Sequence, residues 1–442
     1  MFVINCYNNI HKGDDMKRAL VLGGGGSKGA YEIGVWKALD ELDIHFDIVA
    51  GTSIGAMIGA MYVQQQYDRC VEFWSDLSVD DIILNGVNID MDIELMMSQK
   101  GKYKSFLKSY IQNKGADITP FINKLKKYFD AERFFQSDID YACMCVNFTR
   151  KKPQPMLKKD MNAKNALDYM IASASCFPAF PMKEINDEKF IDGGYYDNVP
   201  IKLVKSMGAD EIVAVDLKAI GNKKVHHPLK NLIYIEPQVS LGSFLLFDPT
   251  RIQRNMTLGY QDTMKKFYRY IGSIYTFPLK DLSSILAFEE KIQKQLEDID
   301  SLMDRKFMNR LTKTVFHHQV IEQFAKFQEY DFSFLRMLEL TAQIFELEDA
   351  VIWSFKEFVK QVMLHANTYT SSLELVLNDH FDLKQIAQSV KDQRNKEAVC
   401  SIYYYMKKAD ASNRKELEAM ALLMNESFMM AYLLFALQKI VL

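Results

Sequence analysis

The chain has 442 residues, more than one hydrophobic core usually organises; domains commonly run about 100 to 200 residues and split beyond roughly 250 to 300, so two are expected. A hydrophobic share of 48% beside 25% charged residues excludes disorder as the default state. The net charge of −3 gives no long-range attraction for nucleic acid or anionic lipid, and no basic patch dominates the sequence.

In chain order, residues 1–15 (MFVINCYNNIHKGDD) lack the basic start and continuous apolar run of a secretory signal, so they are expected to be an N-terminal extension of a cytoplasmic protein. Arg18 to Leu22 then reads as a strand cut off by glycines, and Ala30 to Leu42 as a helix with Ile33, Trp36, Leu39 and Leu42 at helical spacing. The order repeats with a strand at Phe46 to Ala50, a turn at Gly51 to Gly55 and a helix from Ala56. Consecutive strand-turn-helix units predict the α/β class, with a mostly parallel sheet sandwiched by helices. Residues 65–135 read as a helical excursion that includes Ile118 to Phe129. Further strands are expected at Ile139 to Phe148, Lys189 to Ile191, Glu211 to Leu217 and Leu232 to Ile235, with the sheet ending near residue 240.

The basic stretch around Lys151, Lys152, Lys158 and Lys159, broken by Pro153 and Pro155, reads as a solvated connection, with contact to a phosphate headgroup as the alternative. From Leu282 to Leu442 amphipathic patterns dominate and an all-α domain is expected. Its stretch Phe428 to Leu437 falls short of the roughly 18 to 20 residues that span a bilayer and reads as a core helix. The expected division is thus an extension at 1–15, an α/β domain at 16–279 and a helical domain at 280–442 whose role the sequence leaves open. Cys6, Cys70, Cys143, Cys145, Cys176 and Cys400 show no zinc-site spacing and read as reduced, mostly buried thiols.

Gly51-Thr52-Ser53-Ile54-Gly55 is a GxSxG sequence between a strand and a helix, the setting that presents a serine hydroxyl at the carboxyl edge of a sheet and at a helix N-terminus. An ordinary glycine turn with Ser53 as a helix cap is the plain alternative. Gly24-Gly25-Gly26-Ser27-Lys28-Gly29 matches the dinucleotide pattern GxGxxG. The second strand, however, runs into Gly51-Thr52-Ser53 where a dinucleotide fold places an acid for the ribose. The same loop can instead offer backbone N–H groups to an oxyanion. None of the eight histidines has a persuasive setting as a base; His226 and His227 precede Pro228, and His317 and His318 lie in a helical stretch. Asp192 closes the run Phe190-Ile191 and is followed by Gly193 and Gly194, so its carboxylate can stand at a strand end, unless this is an ordinary Asp-Gly turn.

These three blocks, in this order, resemble those of the patatin-like phospholipases. Ala172 to Ser175 leading to Pro178, Asn198-Val199-Pro200, and Leu258 to Asp262 resemble further family segments, so the likeness covers about residues 16–275. It departs at Lys28, where many members have arginine, and at Gly194, where alanine is common. The resemblance implies a Ser–Asp dyad without histidine, with Ser53 as nucleophile and Asp192 as base. It also implies an oxyanion hole in Gly24 to Gly29 and hydrolysis of phospholipid or related acyl esters through an acyl-enzyme. A lipid ester is the implied partner, with peripheral membrane contact left open. Neither cofactor nor metal is expected, and no nucleic acid. A non-catalytic scaffold with this fold and a nucleotide-binding module are the rival readings.

Overall fold

The computed structural model describes residues 16–75, 77, 81, 118–224, 231–299, 333–377, 395–409 and 413–441. Outside them lie the expected extension at 1–15 with Cys6, most of the excursion between residues 82 and 117, and His226, His227, His317 and His318. The chain divides into two compact units, one ending at Phe267 and the other beginning at Tyr268.

The first unit is an α/β sandwich. Its strands are β1 (Arg18–Leu22), β2 (Ile48–Thr52), β3 (Asp140–Asn147), β4 (Lys152–Pro153), β5 (Met156–Leu157), β6 (Lys183–Ile185), β7 (Glu188–Asp192), β8 (Glu211–Val215) and β9 (Leu232–Ile235). Along the sheet the order is β6-β7-β3-β2-β1-β8-β9, with β4 and β5 pairing to β3. From β3 to β9 neighbouring strands run parallel, whereas β6, β7, β4 and β5 pair antiparallel. Every residue of β1 and β2 is buried. Such continuous apolar runs belong to central parallel strands covered on both faces.

The helices of this unit are α1 (Ala30–Glu41), α2 (Ile54–Val63), α3 (Tyr67–Ser75), α4 (Thr119–Tyr128), α5 (Ala131–Gln136), α6 (Ala166–Ser173), α7 (Ile201–Ser206) and α8 (Pro249–Lys266). On one sheet face Ala19, Val21, Ile48, Ala50 and Ala214 pack with Ile201 and Val204 of α7. Helices α1 and α8 meet backbone to backbone. A Cβ placed on Gly34 would lie 1.8 Å from the Met256 carbonyl oxygen, and one on Gly259 would lie 1.9 Å from that of Tyr31. Next to that crossing the buried Tyr31 hydroxyl donates to Asp262 Oδ2 at 2.9 Å. The Leu258 to Asp262 segment is therefore the seam that fixes α8 to α1.

Several elements differ from the sequence expectation. The second strand extends through Gly51 and Thr52, and α2 begins at Ile54 rather than Ala56, so the turn shrinks to Ser53. The basic stretch is not a free connection: its residues contribute β4 and β5, and Lys158 Nζ donates to the carbonyls of Ser137 and Ile139 at 2.6 and 3.0 Å. Strand β6 was also unforeseen.

The second unit opens with a ribbon of β10 (Tyr270–Ile271) and β11 (Phe277–Pro278). It continues with α9 (Leu282–Ile299), α10 (Ser333–Ile344), α11 (Phe355–Leu377), α12 (Lys396–Lys408), α13 (Arg414–Leu423) and α14 (Asn425–Val441). Rings of Tyr275 and Phe277 pack on Phe358 at 4.7 and 5.0 Å, which places the ribbon in the helical unit and the division ahead of Lys280. Phe428 to Leu434 of α14 are all buried, as the core-helix reading expects. No helix among the described residues is long and apolar enough to cross a membrane.

Candidate active site

The site is built where β1, β2 and β7 end. Ser53 is the single residue between β2 and α2 and sits at φ 56°, ψ −124°, a left-handed conformation that costs a non-glycine residue on the order of 1 to 3 kcal/mol. Its neighbours hold it there. A Cβ on Gly55 would lie 2.5 Å from the carbonyl oxygens of Leu22 and Gly23, and one on Gly51 would lie 2.3 Å from the Gly55 carbonyl. The turn can close only with glycine at both places. The Ser53 amide donates to Ser173 Oγ at 2.9 Å, and that hydroxyl donates to the Met144 carbonyl at 2.6 Å. Thr52 Oγ1 donates to the Asp197 carbonyl at 2.9 Å, fixing the end of β2 to the loop after Asp192.

Asp192 ends β7 and is buried. Its Oδ1 accepts from the Gly194 amide at 2.7 Å, and the carboxylate lines the same cavity as Ser53, close enough for the serine side chain to favour its charged form. Burial raises its pKa to about 6 against the lowering effect of the Gly194 amide and the nearby Ser53 side chain. A carboxylate tuned upward in this way is ionised at neutral pH and still a better proton acceptor than an exposed one.

The glycine loop reaches the same place only in part. Gly24, Gly25 and Gly26 line the cavity beside Ser53, while Ser27, Lys28 and Gly29 do not. After Gly26 the chain winds through a short 3-10 turn into α1, and the Ser27 amide is taken by the Phe244 carbonyl at 2.7 Å. Its hydroxyl donates to the Ser243 carbonyl at 2.9 Å, and the Lys28 amide donates to the Gly25 carbonyl at 3.2 Å. The Gly24 amide is also engaged, by the Asn198 carbonyl at 3.2 Å. The amides of Gly25 and Gly26 donate in none of these bonds and are the loop's candidates for an oxyanion.

Asn198, to which the sequence alone assigns no role, lies at the centre of the site. Its Nδ2 donates to the Gly24 carbonyl at 3.1 Å, and its amide donates to the Asn222 carbonyl at 2.6 Å. It is buried and joins the glycine loop, the segment after Asp192 and the loop after β8. Ser173, which holds the Ser53 amide, likewise lies in a segment marked in the sequence only by its resemblance. Both act through partners far away in the chain, so only the neighbouring motif carried a signal.

The cavity has a volume of about 340 Å³. Ile54, Met57, Ile118, Phe121, Ile171, Phe180, Phe244 and Phe247 supply an apolar wall opposite the polar end formed by Ser53, Asp192 and the loop. Ile118 and Phe121 come from the excursion. Cys176 also faces the cavity, but burial pushes its thiol up to about 12, so it remains protonated and a poor nucleophile. No histidine lines the cavity among the described residues; His45 is exposed and paired with Asp43 at 3.0 Å. Among the described residues no three His, Cys, Asp or Glu side chains are arranged as metal ligands would be.

Residues 20–205 match the family model of the patatin-like phospholipases. The chain contains a patatin-like phospholipase domain. The matched stretch of this patatin-like domain holds the glycine loop, the Ser53 turn and the Asp192 block, and ends ahead of α8. The chain is 28% identical over 230 residues to lysophospholipase NTE1 of Meyerozyma guilliermondii, covering 49% of this chain and 14% of that protein. It is 30% identical over 213 residues to lysophospholipase NTE1 of Coccidioides immitis, covering 46% of this chain and 12% of that one. The chain thus corresponds to a small part of these relatives' length. The crystal structure of VipD from Legionella pneumophila aligns with a TM-score of 0.37 at 16% identity, over 96% of this chain and 92% of that one, too loosely to carry an argument.

Proposed function

We propose that the patatin-like domain hydrolyses fatty-acyl esters of phospholipids or lysophospholipids by a Ser53–Asp192 dyad. The observation that carries this reading is the meeting of a serine on a strained turn with a buried carboxylate at the polar end of an apolar cavity. The acyl chain lies along Ile54, Phe121 and Phe247, which brings the ester carbonyl to Ser53. Asp192 accepts the hydroxyl proton as Oγ attacks the carbonyl carbon. The negative charge on the carbonyl oxygen is met by the amides of Gly25 and Gly26, where a donor of this kind contributes roughly 10² to 10³ in rate. Asp192 then gives its proton to the departing alcohol. In the second half it takes a proton from water as the water attacks the acyl-enzyme, and returns that proton to Ser53 Oγ as the acyl bond breaks and the fatty acid leaves. The lysophospholipase names of the relatives favour a single-chain substrate, in keeping with the modest volume of the cavity.

The experiment is product analysis by mass spectrometry after incubation with lysophosphatidylcholine, phosphatidylcholine and a short p-nitrophenyl ester. Free fatty acid is expected from the wild-type protein and none above background from Ser53→Ala; fatty-acid release by the folded mutant at the wild-type rate refutes the assignment.

A further inference from the structure

We propose that the rim of the cavity is a docking surface for an anionic lipid bilayer. The inference rests on reading the cavity as a lipid-ester site and adds how the substrate arrives. Among the described residues up to Phe267, the exposed large apolar side chains are Phe148, Tyr195, Tyr196, Ile220 and Leu246, at 46%, 38%, 37%, 45% and 42% exposure. Singly exposed apolar residues are ordinary, whereas a cluster of them marks a contact surface. Four of these five come from the segments that build the cavity wall. Tyr195 and Ile220 line it, Tyr196 follows Tyr195, and Leu246 stands between the lining residues Leu245 and Phe247.

The segments are tied to one another. The Asn222 amide donates to the Gly194 carbonyl at 2.8 Å, joining the Ile220 loop to the Tyr195 turn. The Ser27 amide holds Phe244, two residues before Leu246, against the glycine loop. Two of the exposed apolar groups thus line the cavity and the other two sit on the segments that border it.

Cations stand beside them. Lys218, Lys223 and Lys224 follow β8 in the loop that carries Ile220. Lys218 pairs with Glu236 at 3.3 Å and Lys223 with the buried Asp216 at 2.6 Å. Lys224 rests over the Tyr196 ring, its Nζ 4.0 Å from the centroid, and also acts on the buried Asp197. A tyrosine with its ring toward hydrocarbon and a lysine at headgroup level form an interfacial anchor, and anionic lipid adds attraction for the ammonium. A bilayer is the occupant because an acyl chain moving from it into an apolar cavity is least exposed to water when the opening sits in the headgroup layer. A second copy of the chain would need no such continuity between rim and cavity.

The test is flotation of the full-length protein with phosphatidylcholine vesicles prepared with and without phosphatidylserine, in a Ser53→Ala background so that lipid is not consumed. The double variant Tyr196→Ser/Leu246→Ser is expected to lose about tenfold or more in vesicle affinity. Lys224→Ser should lose about fivefold, on phosphatidylserine vesicles only. With Ser53 intact, both variants should hydrolyse a short soluble ester at the wild-type rate. Unchanged flotation of the rim variants overturns the proposal. So does loss of soluble-ester turnover by a folded rim variant, or rim-dependent self-association without vesicle binding. Rim-dependent flotation by a protein inert toward every ester keeps the docking surface and sinks the hydrolase reading instead.

Discussion

The two units bury different things. In the first, Glu32, Asp192, Asp197, Asp216 and Asp262 are buried, of these Asp192 alone lines the cavity, and burial raises both Asp192 and Asp197 to about 6. In the second, Glu339 is the buried carboxylate among the described residues. Its Oε1 accepts from the Ser273 and Tyr275 amides at 2.7 and 3.1 Å. The rest of that core is largely apolar, as in α14, where Phe428 to Leu434 are buried on every side. A carboxylate fixed by backbone donors ties a fold together, while one whose desolvation outweighs its hydrogen bonds is held ready for proton transfer. In the proposed function the chemistry belongs to the first unit, at Asp192 on the cavity, and the second unit's buried carboxylate, Glu339, is held by backbone donors.

The largest effect expected from this contrast is loss of turnover in Ser53→Ala, by about 10⁴-fold or more on a short soluble ester, with the melting temperature near wild type. A core substitution in the second unit should do the reverse. Phe358 is fully buried against Tyr275 and Phe277, and Phe358→Ala should cost about 3 to 5 kcal/mol in chemical denaturation. The kcat per folded molecule should stay within a few-fold; a fall comparable with that of Ser53→Ala would put the helical unit inside the catalytic apparatus.

Asn198→Ala sharpens the contrast within the first unit. It removes the Nδ2 bond to the Gly24 carbonyl, so the Gly25 and Gly26 amides lose their alignment. A drop in kcat of about 10- to 100-fold with KM little changed is expected. A change confined to KM would argue that Asn198 shapes the acyl site rather than the loop.

The smallest effect is one of stability and pH. Asp192 has a folded pKa of about 6, above the usual 3.8, so between these values the folded protein holds a proton that the unfolded chain has released. Its contribution to stability is therefore complete below about pH 4 and is lost as pH rises through 6. Asp192→Asn removes that loss and should raise stability above pH 6 by at most about 3 kcal/mol. Melting curves of mutant and wild type should converge toward pH 4; a mutant less stable at pH 8 would show that the carboxylate is structural.

Much of this was legible in the sequence because it is local. β1, the Ser53 turn and the end of β7 each declare themselves within a few residues through an apolar run that stops at glycine. What escaped depends on distant partners. Strands β4 to β6 are two or three residues long and exist only by pairing with β3 or β7. Ser27 was expected to face the oxyanion, but the Phe244 and Ser243 carbonyls, more than two hundred residues on, draw it away. Asn198 reaches Gly24 across 174 residues, and the β10–β11 ribbon joins the helical unit through Phe358. No periodicity records such contacts.

In the proposed mechanism Asp192 activates Ser53 without help from a histidine. The most direct test of this is the rate and site of labelling by a fluorophosphonate, followed by mass spectrometry, in the wild type, in Asp192→Asn and in each single His→Ala variant. The account predicts one label, on Ser53, that forms at least about 10³-fold more slowly in Asp192→Asn and at near wild-type rate in every histidine variant. Labelling of another residue, unchanged labelling in Asp192→Asn, or a histidine variant as slow as Asp192→Asn would contradict it.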